Sequence, residues 1–246
     1  MTNYQIVIEY LGRNFSGWQI QKNSKSIQET LEVALKKTLR TQIKIIGSGR
    51  TDAGVNAIGQ SANFYSKSEI KNEYKFLSTV NFFLKKYPIS VLSLKKKNFK
   101  FHARHSAKKR EYEYVIINRL AKPVIDFNRG WLINKNLDIR EMKKAIKYFI
   151  GTHDFSAFRS SSCTAASPIR TIKSANIIKK GDKIFIKFIS KSFLQKQVRS
   201  MVGCLKYVGE RKWNSSKIKK IIKSKRRSSC APPAPAEGLF LKKVFY

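Results

Sequence analysis

Hydrophobic and polar positions alternate from Tyr4 to Tyr10, the period-two signature of a strand with one buried face. The period then lengthens. Ser26 and Glu29 stand as an S-x-x-E capping box, and Ile27, Leu31, Ala34, Leu35 and Leu39 follow at helical spacing on one face. Alternation returns at 41–46 and 59–66 and predicts two further strands. A helix near 72–86 follows, lined on one side by Phe76, Leu77, Val80, Phe83 and Leu84 and stopped by Pro88. With a strand at 89–95, the first hundred or so residues read β-α-β-β-α-β, the ferredoxin-like order.

The second half repeats that order without repeating its residues. A strand is expected at 111–117 and a helix at 138–150. A hairpin of 171–178 with 183–189 turns at Gly181-Asp182. Helices at 194–207 and 216–224 and a strand at 239–245 complete the chain. The basic run from Lys95 to Arg110 crosses the boundary, so domains are expected at 1–105 and 106–246. Pro232, Pro233 and Pro235 suit a disordered tail, but the apolar segment after them argues for an ordered loop that ties the last strand into a sheet. The expected fold class is α+β, two ferredoxin-like units sharing a central basic cleft.

Composition then narrows the partners. The chain has 246 residues, 42% hydrophobic, so it can bury a core; Lys and Arg total 51 against 15 acids, a formal charge of +36. Part of that excess is lysine accompanied by isoleucine and asparagine, as biased nucleotide composition produces. The remainder, with 12% aromatic residues, points to nucleic acid, and to RNA with exposed loops in preference to a DNA duplex. A membrane surface is the competing polyanion. No segment approaches the roughly 18 consecutive apolar residues of a spanning helix, and MTNYQIVIEY lacks a basic-then-apolar leader, so a cytoplasmic location without membrane partners is expected.

Candidate chemistry is sparse. Cys163, Cys204 and Cys230 form no C-x-x-C pair, His102, His105 and His153 form no H-x-x-x-H pair, and no phosphate-binding glycine motif follows a strand. No metal, disulfide framework or cofactor is expected. Attention falls on Asp52, a rare acid in the run Gly49-Arg50-Thr51-Asp52-Ala53-Gly54 between two predicted strands. Glycines at 47, 49, 54 and 59 let a ligand approach the backbone closely. The same spacing also suits a hairpin whose Asp caps its own turn.

Several blocks together resemble the TruA family of tRNA pseudouridine synthases. They are Gly12 with Phe15-Ser16-Gly17-Trp18-Gln19 and Gln21; Gly49 to Ala57; Phe101 to Tyr114; Arg170-Thr171-Ile172; Phe193-Leu194 with Val198-Arg199 and Met201-Val202-Gly203; and Gly238-Leu239 with Val244 and Tyr246. The resemblance implies isomerisation of uridine to pseudouridine in the tRNA anticodon stem-loop, at positions 38 to 40, without cofactor or metal and with a homodimer as the usual form. It also implies roles. Asp52 is the nucleophile, Arg199 keeps it ionised, Tyr112 stacks on the uracil and takes the C5 proton, and Arg50 fills the space of the flipped base. Phe101, His102, Ala103, Arg104 and His105 track the RNA backbone with Lys108, Lys109 and Arg110, as does the loop of Thr164, Ala165, Ala166, Ser167 and Pro168. Tyr114, on the face of Tyr112, is assigned to packing. Asn56 stands where the family usually has histidine, which bears on loop packing more than on the nucleophile. His105 stands in place of a common aromatic, and Gln195-Lys196-Gln197 is more polar than that block usually is. A non-catalytic RNA-binding protein and a lysine-rich membrane-surface protein are the rival readings of the charge.

Overall fold

In the computed structural model, which describes residues 1–246, the first alternating segment is strand β1 (Thr2–Tyr10). Helix α1 (Ile27–Leu39), β2 (Ile46–Gly47), β3 (Asn56–Ser66), α2 (Glu73–Leu84) and β4 (Ile89–Lys97) follow. Residues Met1–Lys108 form one unit together with Leu241–Tyr246. Within it β1 runs antiparallel to both β3 and β4, and β2 pairs with β3, which is the ferredoxin-like order β4-β1-β3-β2.

One face of this sheet is apolar. Tyr4 lies opposite Phe64 and Ile6 opposite Ala62, all buried, and the Phe64 ring stands 6.2 Å from Phe76 of α2. Onto that face α1 buries Ile27, Leu31, Ala34 and Leu35, starting at a Ser26 cap whose Oγ accepts from the Glu29 amide at 3.2 Å. Such a cap contributes about 1 kcal/mol. The other face is polar and also buried: Asn3, Gln5, Ser61 and Asn63 lie beneath the segment 98–106.

The strand expected at 41–46 shrinks to Ile46–Gly47. Helix α1 supplies the reason. The Ile45 amide donates to Glu32 Oε1 at 3.0 Å and Gln28 Nε2 donates to the Ile45 carbonyl at 3.4 Å, so side chains satisfy the backbone that a strand partner would otherwise serve. Ile43 and Ile45 remain buried, which accounts for the alternation.

Lys109–Phe240 forms the second unit. Its elements are β5 (Lys109–Ile117), β6 (Trp131–Leu132), α3 (Ile139–Ile146), β7 (Gly151–Asp154), β8 (Ile169–Lys180), β9 (Lys183–Ser190), α4 (Gln197–Gly209) and α5 (Lys217–Ser224). The last strand, β10 (Leu239–Phe245), gives Leu239 and Phe240 to this unit and its later residues to the first. The strands pair in the order β5-β9-β8-β7, each antiparallel to its neighbour, and β6 adds a short parallel bridge to β5. The expected hairpin is present, with Gly181 at φ +58° in its turn. The helix expected at 138–150 ends at Ile146, tightens into a 3₁₀ turn and gives way to β7, and Phe149 before that strand meets Phe158 after it edge to face with centroids 5.4 Å apart. The stretch 230–235 is ordered, with Ala231 and Ala234 buried. Cys204 and Cys230 are free thiols with sulfurs 3.3 Å apart. No helix is long and apolar enough to cross a membrane.

Candidate active site

Asp52 sits in a turn closed by the Val55 amide donating to its carbonyl at 3.1 Å, with Gly54 at φ +77°. The turn is gripped from outside by the segment 12–18. The Trp18 amide donates to the Thr51 carbonyl at 3.1 Å, and Thr51 Oγ1 lies 2.8 Å from the Tyr10 hydroxyl. Two glycines make that grip possible. A Cβ on Gly17, already at φ +108°, would stand 2.6 Å from the Thr51 carbonyl, and one on Gly12 would run into the Val55 carbonyl. The Gly12 amide donates to Asn56 Oδ1 at 2.8 Å, so Asn56, 1% exposed, is a scaffold for the loop. On the far side Gln60 receives Ser48 Oγ at 2.7 Å and donates to the Gly49 carbonyl at 2.9 Å. Asp52 itself is half-buried and Arg50 is exposed, so the loop is fixed by its backbone while its charged side chains stay accessible.

The segment 101–105 is also in this unit. Ala103 is buried, whereas Arg104 and His105 are exposed. Phe101 packs on Tyr246 with ring centroids 4.8 Å apart. His102 and His105 are 4.3 Å apart, and His102 Nδ1 accepts from the amides of Arg104 and His105 at 3.2 and 3.3 Å. Burial and the neighbouring His105 hold the His102 imidazole below its ordinary pKa, as suits a ring whose lone pair closes a turn.

In the second unit Tyr112 is 8% exposed on β5, opposite Phe188 of β9, with its ring edge-on to Phe193 at 5.2 Å. Tyr114, two residues on, is fully buried and donates its hydroxyl to the Pro235 carbonyl at 2.8 Å. Burial pushes its phenol well above the ordinary range, and Glu237 adds to this, so Tyr114 is a packing residue. Arg199 lies on the first turn of α4, where Nε donates to the Ala234 carbonyl at 2.7 Å and its own carbonyl accepts the Ala234 amide at 2.9 Å. The structure therefore places Tyr112, Phe193 and Arg199 in one unit, with Tyr112 on Phe193, and Asp52, Arg50 and 101–105 in the other. Thr164, Ala166 and Ser167 are exposed in an irregular loop that ends where the Phe155 amide donates to Pro168 at 3.1 Å.

Sequence reasoning did not find Tyr10, Gln60, Ser61, Asn63 or the Pro235 carbonyl as supports. Polar residues at alternating strand positions were the available signal for Ser61 and Asn63, which share one face of β3.

A family model described as tRNA pseudouridine synthase matches residues 6–106 and 145–246. A protein of Pelagibacter ubique named tRNA pseudouridine synthase A is 58% identical over 246 residues, covering 100% of both chains. Its namesake in Ehrlichia chaffeensis is 45% identical over 244 residues, 99% of each. A solved H/ACA ribonucleoprotein bound to a substrate RNA shares 11% identity at a TM-score of 0.37, covering 83% of this chain and 44% of the other, a likeness that carries no argument.

Proposed function

Since the chain belongs to the tRNA pseudouridine synthase family, we propose that it isomerises uridine to pseudouridine in the tRNA anticodon stem-loop, at positions 38 to 40, with Asp52 as nucleophile. The observation that carries this reading is the Asp52 turn, an accessible carboxylate on a backbone clamped by Gly12, Gly17 and Gln60. A nucleophile must be exposed to its substrate and immobile relative to it, and this turn is built for both.

The reaction breaks the N-glycosidic bond, turns the uracil and rejoins it through C5; the C5 proton leaves and N1, freed from the sugar, takes one up, so atoms and electrons balance. Asp52 forms the covalent adduct that splits one difficult displacement into two easier ones. Arg199 keeps the carboxylate charged, because a guanidinium nearby favours the anion. Tyr112 stacks on the uracil and accepts the C5 proton; its neighbour Tyr114, already bonded to Pro235, is unsuited to that work. Extruding the uridine costs a few kcal/mol of unstacking, which Arg50 offsets by entering the vacated space. Residues 101–105 and 164–168 follow the RNA backbone. The working form is a homodimer in the cytoplasm.

Asp52→Asn tests the assignment. The amide keeps the size of the carboxylate but cannot form the adduct, so pseudouridine formation on unmodified tRNA, read by carbodiimide labelling, should fall by ~10⁴-fold or more. Affinity for tRNA should stay within a few-fold, since phosphate contacts elsewhere govern it. Turnover by this variant, with deamidation excluded by mass spectrometry, would remove Asp52 from the mechanism.

A further inference from the structure

The polar side chains buried on the β1–β3 face converge on one short segment. Asn3 Nδ2 donates to the carbonyls of Asn98 and Phe101 at 3.0 and 2.8 Å, and Asn63 Nδ2 donates to Asn3 Oδ1 at 3.0 Å. Asn63 Oδ1 then accepts the amide of Ala103 at 2.8 Å. The Ala103 carbonyl is held from another direction, by Tyr246, whose hydroxyl is 2.9 Å from it and 2.8 Å from Ser61 Oγ. The Tyr246 hydroxyl is the donor toward both acceptors, and Ser61 Oγ also accepts Gln5 Nε2 at 2.8 Å. Gln5, Ser61, Tyr246 and Ala103 are thereby joined in one buried hydrogen-bond network.

Burying four polar side chains under a strand pair is unfavourable unless every one is bonded. An apolar face would stabilise the sheet at least as well. What the network adds is placement: both backbone groups of Ala103, a residue 0% exposed, are fixed while Arg104 and His105 beside it are exposed. The Tyr246 ring also packs on Phe101, and the preceding Phe245 carbonyl accepts the Lys108 amide at 2.8 Å, so 245–246 holds the segment at both ends.

We propose that Tyr246 is a positioning residue for substrate binding, which sets the 101–105 segment in its RNA-contacting shape through the Ala103 carbonyl. The proposal rests on the reading of 101–105 as an RNA contact. A segment ordered before binding loses less freedom when the RNA arrives, so loosening it weakens binding and leaves chemistry on bound substrate intact.

Tyr246→Phe removes the hydroxyl and keeps the ring. The expected result is a KM for unmodified tRNA raised by about tenfold, the scale of one lost buried hydrogen bond, with kcat within about twofold. A purely structural role would lower the active fraction, and so kcat, without moving KM. Arg104→Ala should raise KM as well, and the double variant should raise it by less than the product of the two, because Tyr246 acts through the segment that presents Arg104. Multiplicative losses would overturn the proposal, as would an unchanged KM for Tyr246→Phe, or a fall in kcat alone. If Arg104→Ala and His105→Ala both leave tRNA binding intact, the RNA-contact reading fails and the proposal with it. If they weaken binding and Tyr246→Phe does not, only the role of Tyr246 is lost. Should Tyr246→Phe fold poorly, Ser61→Ala, which removes the second partner of the Tyr246 hydroxyl, is expected to show a smaller KM rise at constant kcat, and no rise would count against the proposal.

Discussion

Asp52 and Arg199 are held in place by opposite means. The Asp52 turn is clamped by backbone approaching backbone at Gly12 and Gly17, with side-chain bonds from Tyr10, Asn56 and Gln60 filling in. Arg199 stands on a helix, and its guanidinium donates to the carbonyl of Ala234, from a segment 35 residues further along. A clamp made of main chain leaves no room for adjustment, whereas a side chain on a helix is aimed by hydrogen bonds that can be lost without disturbing the helix. The first should therefore fail abruptly under substitution and the second gradually.

The sharpest way to break that contrast is Gly12→Ala. The new Cβ meets the Val55 carbonyl, which is backbone and cannot yield cheaply. Overpacking should lower stability by about 1–3 kcal/mol, read by denaturant unfolding. A displacement of the turn by even an ångström should lower kcat by ~100-fold. A variant with normal kcat would show that the turn is not rigid. Arg199→Lys is the matching test on the other side: charge survives, but the planar donor to Ala234 does not. There kcat should fall by about tenfold with a stability loss near 1 kcal/mol, the worth of one hydrogen bond. Tyr10→Phe removes only the hydroxyl at Thr51 and should cost roughly 1 kcal/mol, with a few-fold fall in kcat.

The smallest effect concerns pH. His102 has a lowered pKa in the folded chain against an ordinary 6.5, so the unfolded chain takes up a proton first as the pH drops. Its stabilisation of the 102–105 turn is present above about pH 6.5 and is lost as pH falls through the lower folded value. Amide exchange at Arg104 and His105, whose N–H groups point at His102 Nδ1, should quicken in that window relative to amides of the Asp52 turn after correction for intrinsic rates, and His102→Ala should abolish the difference.

The contrast also explains what was legible in the sequence. Glycine spacing announces a tight loop, and an acid within it announces chemistry, so Asp52 stands out from its neighbours in the chain alone. The helix-period and strand-period segments locate most elements, and the Ser26 cap is read from two residues. The support for Arg199 was not legible, because nothing in Pro232 to Pro235 says that a carbonyl there meets α4. Strand alternation puts Asn3, Gln5, Ser61 and Asn63 on the polar side of β1 and β3 but does not tell that the 98–106 segment covers it. The strand at 41–46 failed for a related reason, since Glu32 and Gln28 served its backbone from a helix. In both cases polar side chains satisfied backbone groups far away in sequence, which local periodicity does not encode.

The bond between Tyr246 and Ser61 spans 185 positions and has a consequence for biosynthesis. Residues 1–108 leave the ribosome early, but their unit is completed only by 241–246, the part of β10 that follows the whole of the second unit. Lys109–Phe240 is contiguous and can close on contacts of its own as it emerges. The half that carries Asp52 must wait with its buried polar face open, and a ribosome stalled between 109 and 240 holds an Asp52 loop in a unit whose 101–105 segment has not been locked. The maturation of the candidate active site is thus tied to the last few residues of β10 and to Tyr246, and long-range closure of this kind makes the first-born unit the later one to finish.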